Sequence, residues 1–144
     1  MKSIVALFAA IVLMTACQNQ AQEKSATNTS AVADDPKDNT TIQWLDSAKD
    51  MGKITEGQKL EVAFRFRNTG NKPLIIKNVQ PSCGCTVADT PKEPIAAGEE
   101  GVIKAVFDSN GKSGMNHKTL MVSANTEGTQ QHTLSFTVDV QKKN

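Results

Sequence analysis

Lys59-Leu60-Glu61-Val62-Ala63-Phe64-Arg65-Phe66-Arg67 alternates almost without fault. Leu60, Val62, Phe64 and Phe66 fall on one side of an extended chain, and Lys59, Glu61, Ala63, Arg65 and Arg67 fall on the other. Successive strand side chains point to opposite faces, so one apolar row at period two predicts a strand half buried in an antiparallel sheet. A helix would need apolar residues three and four apart, and no segment of the domain sustains that spacing.

Outward from this strand the pattern repeats. Asn68-Thr69-Gly70-Asn71 is a turn by composition. Leu74 to Val79 reads as the next strand and runs into Pro81-Ser82-Cys83-Gly84-Cys85-Thr86. Pro91, Pro94 and Gly98 mark a loop before Gly101 to Asp108, which sets Ile103, Ala105 and Phe107 against Val102 and Val106. Leu120 to Ala124 turns Leu120, Val122 and Ala124 inward and Met121 outward; Met115 falls in a glycine-flanked loop. Leu134, Phe136, Val138 and Val140 make the final strand, and Thr41 to Leu45 and Met51 to Ile54 are shorter candidates at the start. Short strands at roughly ten-residue spacing, separated by Gly, Pro and Asn turns, predict an all-β chain: an immunoglobulin-like antiparallel β-sandwich of about seven strands. The inter-sheet disulfide of antibody domains is excluded, because its cysteines lie far apart in sequence. Trp44, the one tryptophan, reads as a packing aromatic.

The N-terminus reads differently. Lys2 is the only charge in the first sixteen residues, Ile4 to Met14 is nearly all apolar, and Thr15-Ala16 precede Cys17. That order is a cleaved export signal, too short to span a bilayer. Met14-Thr15-Ala16-Cys17 resembles a bacterial lipoprotein box, which implies cleavage before Cys17 and acylation of its thiol and freed amine. Two or more acyl chains anchor a protein stably. Gln18 in place of aspartate resembles lipoproteins sent on to the outer membrane. The reading is therefore 1–16 signal peptide, 17–39 lipidated flexible tether and 40–144 folded domain. Gln18 to about Asp38 lacks a periodic apolar face and cannot offset its ordering entropy. Such a spacer reaches on the order of 25 Å.

Removal of residues 1–16 takes away Lys2 and leaves equal numbers of basic and acidic residues. A neutral domain without a Lys/Arg stripe has no field to steer nucleic acid. The partners expected are the membrane, through lipid on Cys17, and an envelope protein. Asp46-Ser47-Ala48 resembles a three-residue O-glycosylation pattern of Bacteroidetes, which makes Ser47 a candidate acceptor.

A longer series of motifs carries a family resemblance. Asp50-Met51-Gly52-Lys53-Ile54-Thr55-Glu56-Gly57 opens it, then Phe64-Arg65-Phe66-Arg67-Asn68-Thr69-Gly70, Pro73-Leu74-Ile75-Ile76, Pro81-Ser82-Cys83-Gly84-Cys85-Thr86 and Pro94-Ile95-Ala96-Ala97-Gly98-Glu99. From about Asp50 to Val140 the chain resembles the domain-of-unknown-function 1573 family. Met51 stands where the family usually has an aromatic. The resemblance implies an exported protein, often a lipoprotein, common in Bacteroidetes and Planctomycetes. Its implied fold is an immunoglobulin-like sandwich of the abnormal-spindle and major-sperm-protein type. The family implies no biochemical activity.

The chemistry concentrates in Cys83-Gly84-Cys85, because lipidation would consume Cys17, the third cysteine. Three readings stay open. The pair can form a short-loop disulfide in an oxidising compartment, as an inert staple or as a redox-active pair. Its two thiolates can hold a soft cation, and two sulfurs suit Cu(I). A fuller site needs nitrogen from His117 or His132, and His117, with Met115 and Met121 nearby in sequence, is the candidate third ligand. Or the thiols stay reduced and shape a loop. Asp108-Ser109-Asn110-Gly111 starts like a calcium loop, but Lys112 occupies the next ligand position and no glutamate closes it. No nucleophile elbow or phosphate loop is present. The expectation is a lipid-anchored, periplasm-facing, non-enzymatic interaction or structural module. The alternative is a thiol–disulfide redox or soft-metal protein acting through Cys83 and Cys85.

Overall fold

The computed structural model describes residues 36–143. In it the alternating stretch is β3 (Lys59–Asn68), with Val62, Phe64, Phe66 and Asn68 buried on one face. It pairs antiparallel with β1 (Ile42–Trp44) on one side and β6 (Glu100–Asp108) on the other. Phe64 lies opposite Ile103 and Val62 opposite Ala105, so the two inward rows coincide. With β5 (Thr86–Asp89) the first sheet runs β1-β3-β6-β5. The second contains β2 (Ala48–Thr55), β4 (Ile76–Pro81), β7 (Gly114–Ala124) and β8 (Gln131–Gln141), in the order β2-β8-β7-β4. Leu120, Val122, Leu134, Phe136 and Val138 of this sheet are fully buried against the first. Phe107 of β6 meets Phe136 of β8 edge to face, their centroids 5.9 Å apart. Each fully buried apolar side chain contributes about 1.5–3 kcal/mol, and this shared core holds the two sheets together.

The fold is the immunoglobulin-like sandwich, with eight strands where about seven were expected. β5 is the strand the pattern does not reveal, since four residues are too few to show a period. The second sheet is mixed, because β2 runs parallel to β8 with a bulge between Asp50 and Lys53. Gly52 sits in that bulge at φ 67°, and its N–H is held by the Asp50 carboxylate at 2.9 Å. Only glycine takes this conformation without strain. β4 begins at Ile76, later than Leu74; Leu74 instead makes a two-bond bridge with Ile95, both bonds 2.9 Å. β7 begins at Gly114, so Met115 is in a strand and not a loop. Pairing with β8, Met115 opposite Asp139, decides this, and hydropathy carries no trace of it. Pro36–Asp38, assigned to the tether by composition, form a 3-10 turn, and Asn125 Nδ2 donates to Asp38 O at 2.8 Å.

The strand order creates two corners where the chain passes from one sheet to the other. β1 and β2 are edge strands of different sheets, joined through Leu45 to Ser47. β4 and β5 are the opposite edges, joined through residues 82–85. Asp46 holds the first corner, its carboxylate 2.7 Å from Arg65 Nε and 3.6 Å from Lys49 Nζ. The second corner is the cysteine turn.

Candidate functional site

Backbone bonds on both sides hold the cysteine turn. Ser82 N–H donates to Thr119 O at 2.9 Å, which extends the β4–β7 ladder by one residue. Asp108 N–H donates to Cys85 O at 2.9 Å, which starts the β5–β6 ladder. Between these anchors Thr86 N–H closes on Cys83 O at 3.3 Å. Cys83 and Cys85 are joined by a disulfide, their Cα atoms 5.3 Å apart. Cys85 packs against the core, and the buried Thr86 places its hydroxyl 3.7 Å from Cys83 Sγ. Gly84 is exposed, and a Cβ built on it would meet nothing within 4 Å. A loop of three residues contributes only about 1.6 kcal/mol by the chain-entropy relation. Two independent ladders, and not the sulfur bridge, hold this corner.

The structure does not gather the metal set. His117 is exposed in the middle of β7 and shares its outer face with Met115 and Met121. The Cys83 and Cys85 sulfurs are bonded to one another and offer no thiolate pair, which a Cu(I) site needs. Among the described residues no three His, Cys, Asp or Glu side chains come together to hold a metal. The residues present therefore do not fit a three-ligand copper or zinc site.

A second feature lies on the outer face of the first sheet. Val87 of β5 is 70% exposed. It sits opposite Val106, which in turn lies opposite Glu61. Ala63 and Asp89 both lie opposite Lys104 from its two sides. Val87, Val106 and Ala63 floor a shallow groove of about 390 Å³, and Glu61, Asp89 and Lys104 line it with charge. The free edge of β5 borders it. Cys85 O already faces β6, so the alternation of an antiparallel ladder turns the backbone of Ala88 away from β6. Sequence reading found the outward Val106 but missed Val87, and so missed the groove.

Among the described residues three groups have shifted titration. The Arg65 guanidinium bonded to Asp46 holds that carboxyl below its ordinary value, and the same bond raises Arg65. Burial lowers His132. Its ring packs 5.7 Å from Trp44, and its Nε2 lies 2.9 Å from the Thr126 hydroxyl. That hydroxyl donates to Thr129 O at 2.6 Å, so Nε2 is the protonated nitrogen. Trp44 also packs on Phe66 at 5.4 Å, a core role for the lone tryptophan. Ser47 is exposed at the first corner, and its carbonyl accepts Ser135 N–H at 2.9 Å. Cys17 lies outside the described residues.

The family described as "Protein of unknown function (DUF1573)" matches residues 42–140, which adds β1 and the start of β2 to the stretch recognised by motif. Among curated proteins no sequence matches. A protein of unknown function from Porphyromonas gingivalis W83 is similar in structure, with TM-score 0.63 and 15% identity over 73% of this chain and 49% of that one. The VesB protease of Vibrio cholerae follows with TM-score 0.55 and 14% identity over 72% of this chain and 32% of that one. The human CEP192 ASH/PapD-like domain 7 gives TM-score 0.50 and 13% identity over 76% of this chain and 89% of that domain. The chain spans about half the length of the Porphyromonas protein and about a third of VesB. At these identities the likeness is one of fold, and it carries no protease activity to this chain.

Proposed function

The chain belongs to the DUF1573 family, and from that premise we propose that it is a non-enzymatic protein-interaction module, held on the cell envelope by lipid on Cys17. In this reading the tether expected over residues 17–39 links the domain to the outer membrane, facing the periplasm, and the outer face of the first sheet meets an envelope protein. The observation that carries the proposal is Val87, 70% exposed beside a free strand edge and over an apolar floor. An exposed edge next to an apolar groove fits an extended segment, which adds main-chain bonds to the edge and seats alternate side chains in the groove.

A photo-crosslinking residue placed at Val87 in the full chain tests this in cells. Crosslinks to one discrete partner at position 87, and none at Lys53 on the other sheet, are expected. Changing both Cys83 and Cys85 to serine should leave the crosslink intact. Loss of the crosslink in that double variant, with the fold retained, would favour the cysteine turn over the groove as the working surface.

A further inference from the structure

We propose that the Cys83–Cys85 disulfide is an exchange site that takes two electrons from a protein dithiol, with Cys83 as the sulfur attacked. Four observations converge on it. Gly84 is exposed, and a Cβ built on it would meet nothing within 4 Å, so the turn is open at its middle residue. Both cysteines are half-buried, and Cys85 packs against the core, so the assignment makes Cys83 the sulfur attacked and Cys85 the one expelled. The bonds Ser82–Thr119 and Asp108–Cys85 hold the two flanking strands without help from sulfur, so opening the bridge leaves the sandwich standing. A shallow groove of about 310 Å³, lined by Gln80, Pro81, Ser82, Thr119 and Met121, reaches the turn at Ser82, the residue before Cys83. An extended cysteine-containing segment lying there would bring its sulfur to the turn.

A thiolate of the partner attacks Cys83 Sγ, and a mixed disulfide forms as the Cys83–Cys85 bond breaks. Cys85 leaves as a thiolate and takes a proton. The partner's second thiol loses its proton and attacks its own sulfur in the mixed disulfide, and Cys83 leaves and is protonated. One dithiol becomes a disulfide, and Cys83 and Cys85 become two thiols. Exchange rates depend on access and on which sulfur is attacked, and both are set here by the packing of Cys85 and the gap over Gly84.

The test uses the full chain with dithiothreitol as the dithiol, followed by alkylation and intact mass. The folded protein should be reduced within about tenfold of its rate in urea, since the bond is already reachable. Its β circular dichroism should be unchanged, and oxidised glutathione should restore the starting mass. Reduction slowed beyond that range, or reduction that melts the β signal, would mark the bridge as a protected staple and overturn the proposal. A second arm resolves the attacked sulfur. Cys85→Ser should form a mixed disulfide with oxidised glutathione, releasing one reduced glutathione, faster than Cys83→Ser does, and equal or reversed rates would overturn the assignment to Cys83.

Discussion

The Thr40 hydroxyl donates to Asn68 Oδ1 at 2.9 Å in a buried bond that spans 28 positions of the chain. Asn68 spends its whole side chain in this way. Oδ1 also accepts Gly70 N–H at 3.1 Å, and Nδ2 donates to Lys72 O at 2.7 Å and Ile95 O at 2.9 Å. One asparagine at the end of β3 therefore ties down the N-terminal entry, the following turn and the loop before β6. Asn125 does the same across the sandwich, with Oδ1 on Ile75 N–H and Nδ2 on Asp38 O and Pro73 O.

Asn68→Ala strands several buried partners at once, each worth about 1–3 kcal/mol when left unmet. A loss of about 3 kcal/mol in urea unfolding is expected. Thr40→Val removes one bond and should cost about 1 kcal/mol. The double variant should cost less than the two losses added, by about 1 kcal/mol, because the two side chains share that bond. Full additivity would mean that the bond contributes nothing.

Gly101→Ala tests the packing beneath β6. Gly101 lies opposite Phe66, and a Cβ there would press into the Phe66 ring, which is fully buried. Overpacking of this kind costs about 1–3 kcal/mol. Phe66→Leu in the Gly101→Ala background should recover part of it, measured by the unfolding midpoint. An undiminished loss in the double variant would place the cost elsewhere.

Acid should weaken the fold in two separate windows. His132 titrates below its ordinary 6.5 because it is buried, so the unfolded chain binds the extra proton first. Its contribution is full above pH 6.5 and is lost as pH falls through the lower folded value. Asp46 titrates below 3.8, chiefly through Arg65, and its contribution disappears only under more acid conditions. Chemical unfolding as a function of pH should show His132→Asn flattening the upper window alone and Asp46→Asn the lower alone.

Replacing Cys83 and Cys85 together by serine should cost no more than about 1.6 kcal/mol, the value for a loop this short. The β circular dichroism should be retained. A loss of several kcal/mol would show that the bridge, and not the β4–β7 and β5–β6 ladders, holds the corner.

Much of the fold was legible in the chain. β3, β6 and β8 announce themselves because each is long and one face of each is apolar, so period two survives into the sequence. The cysteine turn was legible as a site because its chemistry is local. β5 and the groove around Val87 were not. Four residues carry no period, and an exposed valine is indistinguishable in sequence from a buried one. Asn68 reads in sequence only as a turn residue, and nothing local singles out Asn125, because the groups that each one satisfies come largely from distant segments. His117 entered the sequence reading as one of only two histidines able to supply nitrogen, and strand alternation in β7 places it on the exposed face.

The sequence by itself determined an all-β chain, the inward rows of its long strands and the turn that carries the two cysteines. Each of these follows from side-chain alternation or from neighbours along the chain. Only the tertiary structure decided the parallel pairing of β2 with β8, the two corners where edge strands change sheet and the packing of Cys85 against the core. Those depend on which strands lie side by side, and that choice comes from burying one shared core across segments far apart in sequence.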